Sequence, residues 1–246
     1  FTQLASIADA NGLSAIRVKY TDILGRIAAD SMRRYAILGD NNCGKSTILN
    51  ALVKRNVAPV SLIVGKHDPI FTVGCPEQEC LFYELSSDTF CGDVDPDKNP
   101  LWTIDAAVYI ISALNPVTAN DVQAINACLK LGIPCTIVLN KLNMVDEDDV
   151  ALTLETVKNQ LFSRYQSETV IVFDRSDPAP AAQEIMTALQ ESEDSSEVRE
   201  YAATVSFVKD LEKELAVRYA AAKQQYEQLA AQKDDGAEDE LVWESL

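Results

Sequence analysis

Residues 39–47 read Gly39-Asp40-Asn41-Asn42-Cys43-Gly44-Lys45-Ser46-Thr47, and this stretch constrains the fold more than any other. The spacing is a full G-x-x-x-x-G-K-S match. An apolar run, Tyr35-Ala36-Ile37-Leu38, enters it, and residues 46–53 leave it with helical spacing. Strand, glycine-bounded loop and helix in that order form a phosphate cradle. Glycines let successive backbone N–H groups turn inward, and the helix N-terminus adds positive potential. The reading assigns Gly39, Asp40, Asn42, Cys43, Gly44 and Thr47 to the cradle. Lys45 reaches the β- and γ-phosphate oxygens, and the Ser46 hydroxyl ligates Mg²⁺.

The rest of the chain supplies a sheet to carry that loop. Residues 106–112 and 134–139 are continuous apolar runs, the mark of strands buried on both faces. Residues 81–85 and 169–173 give two more strands. Helices are expected over 118–131, with Thr118 as N-cap and Asp121 at the third position, over 149–165 and over 181–190. Strands alternating with helices predict an α/β fold with a mostly parallel sheet flanked by helices.

The ends of the chain read differently. Helical spacing covers 3–10 and 13–31, broken at Gly12, and residues 191–197 are acidic and serine-rich. From Val198 to Leu229 apolar residues recur in steps of three and four, predicting one long helix with a narrow apolar stripe. Such a helix needs a partner, and the N-terminal helices are the candidates. The expected division is 1–32 for N-terminal helices, 33–190 for the phosphate-binding domain, 191–233 for the long helix and 234–246 for an acidic tail.

Three further segments bear on ligand choice. Asn140-Lys141-Leu142-Asn143 follows the strand 134–139, where guanine-specific phosphate-loop proteins carry N-K-x-D. Asn140 would read the base edge and Lys141 would pack along the ring. Asn143 replaces a carboxylate, and an amide has one acceptor oxygen where guanine offers two donors. Asp88 is the candidate acid of the Mg²⁺ shell, with Asp93, Asp95 and Asp97 as alternatives in the same loop. Ser176, after strand 169–173, is the candidate for a last contact to the base. Thr72 is the available switch threonine, displaced from its usual place, and His67 lies in the same segment.

Composition excludes other classes. A net charge of −17 disfavours tracking a nucleic-acid backbone. One histidine rules out a two-histidine zinc motif, and six cysteines with no CxxC pair fit reduced thiols in a cytoplasmic protein. Cys75, Cys80 and Cys91 have no common zinc spacing.

Taken together, residues 39–52, 57–60 and 107–140 resemble the dynamin superfamily, and within it the bacterial dynamin-like GTPases. The resemblance implies GTP and GDP binding, Mg²⁺ dependence, GTP hydrolysis and a helical neck bundle built from the N- and C-terminal segments. It also implies dimerisation, or association with another dynamin-like chain, and peripheral action at a membrane. Asn41 and Asn42 match the positions that in that family orient the attacking water and a charge-compensating cation. A displaced D-x-x-G, the displaced threonine and Asn143 keep a second function open: a degenerate partner subunit that pairs without turnover. A phosphate-loop ATPase is a third, opposed by the Asn140-Lys141 dipeptide.

Overall fold

The computed structural model describes residues 1–28, 32–58, 70–85, 100–115, 117–165 and 170–243. It divides into two compact units, residues 22–203 and residues 1–21 with 204–246.

The larger unit is built on a six-stranded sheet. Its strands are β1 (Arg33–Gly39), β2 (Ile70–Cys75), β3 (Cys80–Leu85), β4 (Ala106–Ser112), β5 (Cys135–Asn140) and β6 (Val170–Phe173), in the spatial order β2-β3-β1-β4-β5-β6. All neighbours are parallel except β2, which runs antiparallel to β3 along one edge. The apolar runs behave as their sequence requires, since Ala106 through Ile111 on β4 are all buried. β1 lies centrally, with β3 on one side and β4 on the other. The strand order therefore reverses at β1, and the crevice beyond its carboxyl end is where ligands settle in open α/β sheets. That end is Gly39.

Helices cover the sheet. α3 (Lys45–Leu52) leaves the loop after β1 and packs on α6 (Pro178–Gln190). Ile48, Leu49 and Leu52 of α3 share a core with Ala181, Ile185 and Leu189 of α6 and with Ile37, Val108 and Val138 of the sheet. α4 (Ala119–Lys130) opens with the capping box that Thr118 and Asp121 predict: the Asp121 amide donates to Thr118 Oγ1 at 3.2 Å, and the Thr118 amide donates to Asp121 Oδ2 at 2.6 Å. α6 begins at Pro178, three residues before its expected start, because proline suits the first helical position, where no N–H is required. α5 spans Val150–Tyr165.

The smaller unit is helical. It contains α1 (Thr2–Ala10), the start of α2 (Ser14–Ala28) and most of α7 (Ser196–Trp243). Phe207 of α7 is fully buried, with the Phe1 and Tyr20 rings at 5.2 and 5.1 Å from its own. Tyr20 donates its hydroxyl to Asp210 at 2.9 Å, and Arg218 Nη1 donates to the Asn11 carbonyl at 2.7 Å. α7 continues to Trp243, so residues 234–243 extend the helix where the sequence suggested a separate tail. Among the described residues, no helix is long and apolar enough to cross a membrane.

Candidate functional site

The loop between β1 and α3 is shaped by glycines where nothing else fits. Gly44 has φ +105°, and a Cβ there would lie 2.1 Å from Asn140 Nδ2. At Gly39, φ is +145° and a Cβ would meet the Ile110 carbonyl oxygen at 2.5 Å. Both positions require a residue without a side chain. Between them Asn42 also holds a left-handed conformation, at φ 63°, which asparagine tolerates better than most residues. The loop therefore closes on itself, with the Cys43 amide donating to the Asp40 carbonyl at 3.3 Å.

Lys45 is 9% exposed, and its Nζ donates to the Gly39 carbonyl at 3.0 Å and to the Asp40 carbonyl at 2.8 Å. An ammonium held against two loop carbonyls neighbours the place where phosphate oxygens would sit. The Ser46 hydroxyl donates to Glu84 Oε1 at 2.8 Å. Glu84 stands near the end of β3, in register with Ile37 of β1. A hydroxyl and a carboxylate so paired are hard oxygen ligands of the kind Mg²⁺ takes. These groups fit the phosphates and Mg²⁺ of a nucleotide.

Glu84 escaped the sequence reading, which looked for the acid in the following loop. Its signal was present: it is the one acid in the apolar run 81–85, at the strand end nearest the phosphate loop. Asp88, Asp93, Asp95 and Asp97 fall outside the described residues, as does His67. Thr72 is exposed on edge strand β2, paired opposite Tyr83.

Asn140 reaches the same loop from β5. It is 6% exposed, its Nδ2 donates to the Cys43 carbonyl at 2.9 Å, and its Oδ1 accepts the Lys141 amide at 2.7 Å. Asn140 thereby ties the end of β5 to the phosphate loop. Lys141 follows in a left-handed conformation, φ 64°. Asn143 lies exposed in the short turn Leu142–Met144. Ser176 is exposed after β6, where both its amide and its hydroxyl donate to Asp174 Oδ1 at 2.8 Å. These two hydrogen bonds hold the Asp174 carboxyl below its ordinary range. Asn41 is exposed on the loop, and Thr47 is half-buried at the start of α3.

Cys43 is buried at 2% exposure, and burial pushes its thiol up to about 11. It stays protonated at neutral pH and fills the floor of the loop, where a Cβ on Gly39 would come within 2.6 Å of its sulfur. Asn50 carries the chain onward. Its Oδ1 accepts the amides of Val57 and Ala58, and its Nδ2 donates to the Ala58 carbonyl, all within 2.9 Å.

No protein-family model matches the chain. It is 31% identical over 154 residues to "Probable GTP-binding protein EngB" of Thermotoga sp. (strain RQ2), a match covering 55% of this chain and 74% of that protein. It is 27% identical over 161 residues to GTPase Der of Trichodesmium erythraeum (strain IMS101), covering 60% of this chain and 34% of Der. Among solved structures, a variant of Aquifex aeolicus Era bound to GDP and AlF4⁻ superposes with a TM-score of 0.49 at 19% identity, over 67% of this chain and 58% of Era. The chain spans less than two thirds of both Der and Era.

Proposed function

This chain belongs to the family of GTP-binding proteins that includes EngB, and on that premise we propose that it is a Mg²⁺-dependent GTPase whose chemistry takes place over the β1–α3 loop. The convergence of Lys45, Ser46, Glu84 and Asn140 on that loop carries the reading. The loop amides and Lys45 bind the β- and γ-phosphates, with Lys45 exchanging its two carbonyl partners for phosphate oxygens. Ser46 and Glu84 hold Mg²⁺, which when bound neutralises charge on the phosphates. Asn41 is assigned to orienting the attacking water. Asn140 and Lys141 contact guanine, with Asn143 and Ser176 at its edge. Hydrolysis by such a site is mostly positioning and charge stabilisation. The purified chain with Mg²⁺ and GTP is expected to release phosphate, and Lys45→Ala to lower that rate at least about 100-fold. Absence of release at every protein concentration contradicts the proposal.

The curated relatives described above are EngB and Der. The packing of the N-terminal helices on α7 supports a second reading, closer to the dynamin-like resemblance. In it the nucleotide state controls dimerisation and peripheral membrane association, or the chain pairs with a dynamin-like partner without turnover of its own. Light scattering of the chain with GDP and with a non-hydrolysable GTP analogue separates the two. A doubled mass with the analogue favours the second reading, and an unchanged mass counts against nucleotide-controlled dimerisation.

A further inference from the structure

We propose that the cleft between the C-terminal end of α3 and the β6–α6 connection binds a small phosphate-bearing ligand through Lys54, Arg55 and Arg175. The cleft has a volume of about 380 Å³ and is lined by these three cations together with Asn50, Phe173 and Pro178, among others. Among the described residues no acid lines it, in a chain whose net charge is −17. None of the three cations forms an ion pair among the described residues. Arg55 makes one long contact, from Nη2 to the Gly74 carbonyl at 3.4 Å.

Two cations are fixed by how α3 ends. The Lys54 amide donates to the Ala51 carbonyl at 3.3 Å, and the Arg55 amide donates to the Asn50 carbonyl at 3.2 Å. This closes the helix with Lys54 in the left-handed region, at φ 52°. Positive charge at a helix C-terminus is favourable by itself, which accounts for Lys54 and Arg55. It does not account for Arg175, which arrives from β6 on the other wall. The neighbouring Asp174 accepts both hydrogen bonds from Ser176 and forms no ion pair with Arg175.

Three unpaired cations converging on one cleft suit the clustered charge of a phosphate group. The ligand is small because the overall negative charge of the chain repels a long polyanion while the cleft attracts a single anionic group. The cleft borders the phosphate cradle at Thr47 but is lined by neither Lys45 nor Ser46, so the phosphate it takes is not one of those held by Lys45.

The test uses the whole chain saturated with GDP and Mg²⁺, so that the phosphate loop is filled, and titrates ribose 5-phosphate by calorimetry. Saturable binding is expected, weakened at least about tenfold in the Lys54→Ala/Arg175→Ala double variant and by added salt. GDP affinity and the circular dichroism spectrum of that variant should match those of the unaltered chain. Absence of saturable binding up to about 10 mM overturns the proposal, as does equal binding by the double variant. Tighter binding of a short single-stranded oligoribonucleotide than of ribose 5-phosphate overturns the assignment to a small ligand. Loss of GDP affinity in the double variant merges the cleft with the nucleotide site and overturns its independence. Failure of GDP to bind counts against the GTPase proposal alone. The same titration is then run on Lys45→Ala.

Discussion

At the residue scale, a handful of contacts hold the phosphate loop in place. Gly39 and Gly44 are fixed by geometry, since a Cβ at either collides with backbone or with Asn140. Lys45, Ser46 and Asn140 are fixed by the hydrogen bonds that bring them to one loop. Glu84 is the residue whose role is most open to direct test. Substituting Glu84→Gln keeps the acceptor for the Ser46 hydroxyl but removes the charge. About tenfold weaker Mg²⁺-dependent GTP binding is expected, with binding in EDTA nearly unchanged. A magnesium titration of GTP affinity measures this, and equal loss with and without Mg²⁺ would assign Glu84 to shaping the loop instead. The motif 39–47 was legible because its chemistry is local in sequence. The acid was not, because the pairing of Ser46 with Glu84 depends on β3 lying beside β1, a long-range fact that spacing alone does not encode.

At the scale of elements, the parallel strands and the helices between them were readable from apolar runs and caps. Buried strands cannot hide their composition, and the Thr118–Asp121 box is specific. Edge strand β2 was only glimpsed, near Thr72. Its alternation of buried and exposed residues (Val73 and Cys75 against Thr72 and Gly74) is short and follows a segment with no clear period. Also invisible was the way α7 is anchored at its start. Arg199 is 1% exposed, with Nη2 donating to Asp105 Oδ1 at 2.9 Å and Nη1 to Ser195 Oγ at 2.7 Å. Burial lowers the Arg199 pKa, and the Asp105 carboxylate opposes that shift. Asp105 Oδ2 in turn accepts the Arg34 amide at 2.7 Å, tying β1 into the same cluster. Removing one partner strands a buried charge, so Asp105→Ala is expected to destabilise the chain by about 3 kcal/mol, read from the urea midpoint. A loss below about 0.5 kcal/mol, the size typical of a surface pair, would show that the pair is solvated in solution.

At the scale of the whole molecule, the sheet places its order reversal under the phosphate loop, and the identity to EngB over most of that protein's length joins this arrangement to guanine nucleotides. The sequence resembles dynamin-like chains, and its curated relatives include EngB and Der. Phosphate loop, buried strands and Asn140-Lys141 belong to the general architecture of such proteins and do not by themselves choose a family. What distinguishes families lies in switch segments and appended helices, where this chain's motifs are displaced. Guanine-nucleotide binding at this loop is tested most directly by the ratio of GDP to ADP affinity, measured with Mg²⁺ for the unaltered chain and for Asn143→Asp. The unaltered chain is expected to favour GDP at least about 100-fold, and Asn143→Asp to widen that margin about tenfold by supplying a second acceptor to the base. Equal affinity for GDP and ADP in both proteins would contradict it.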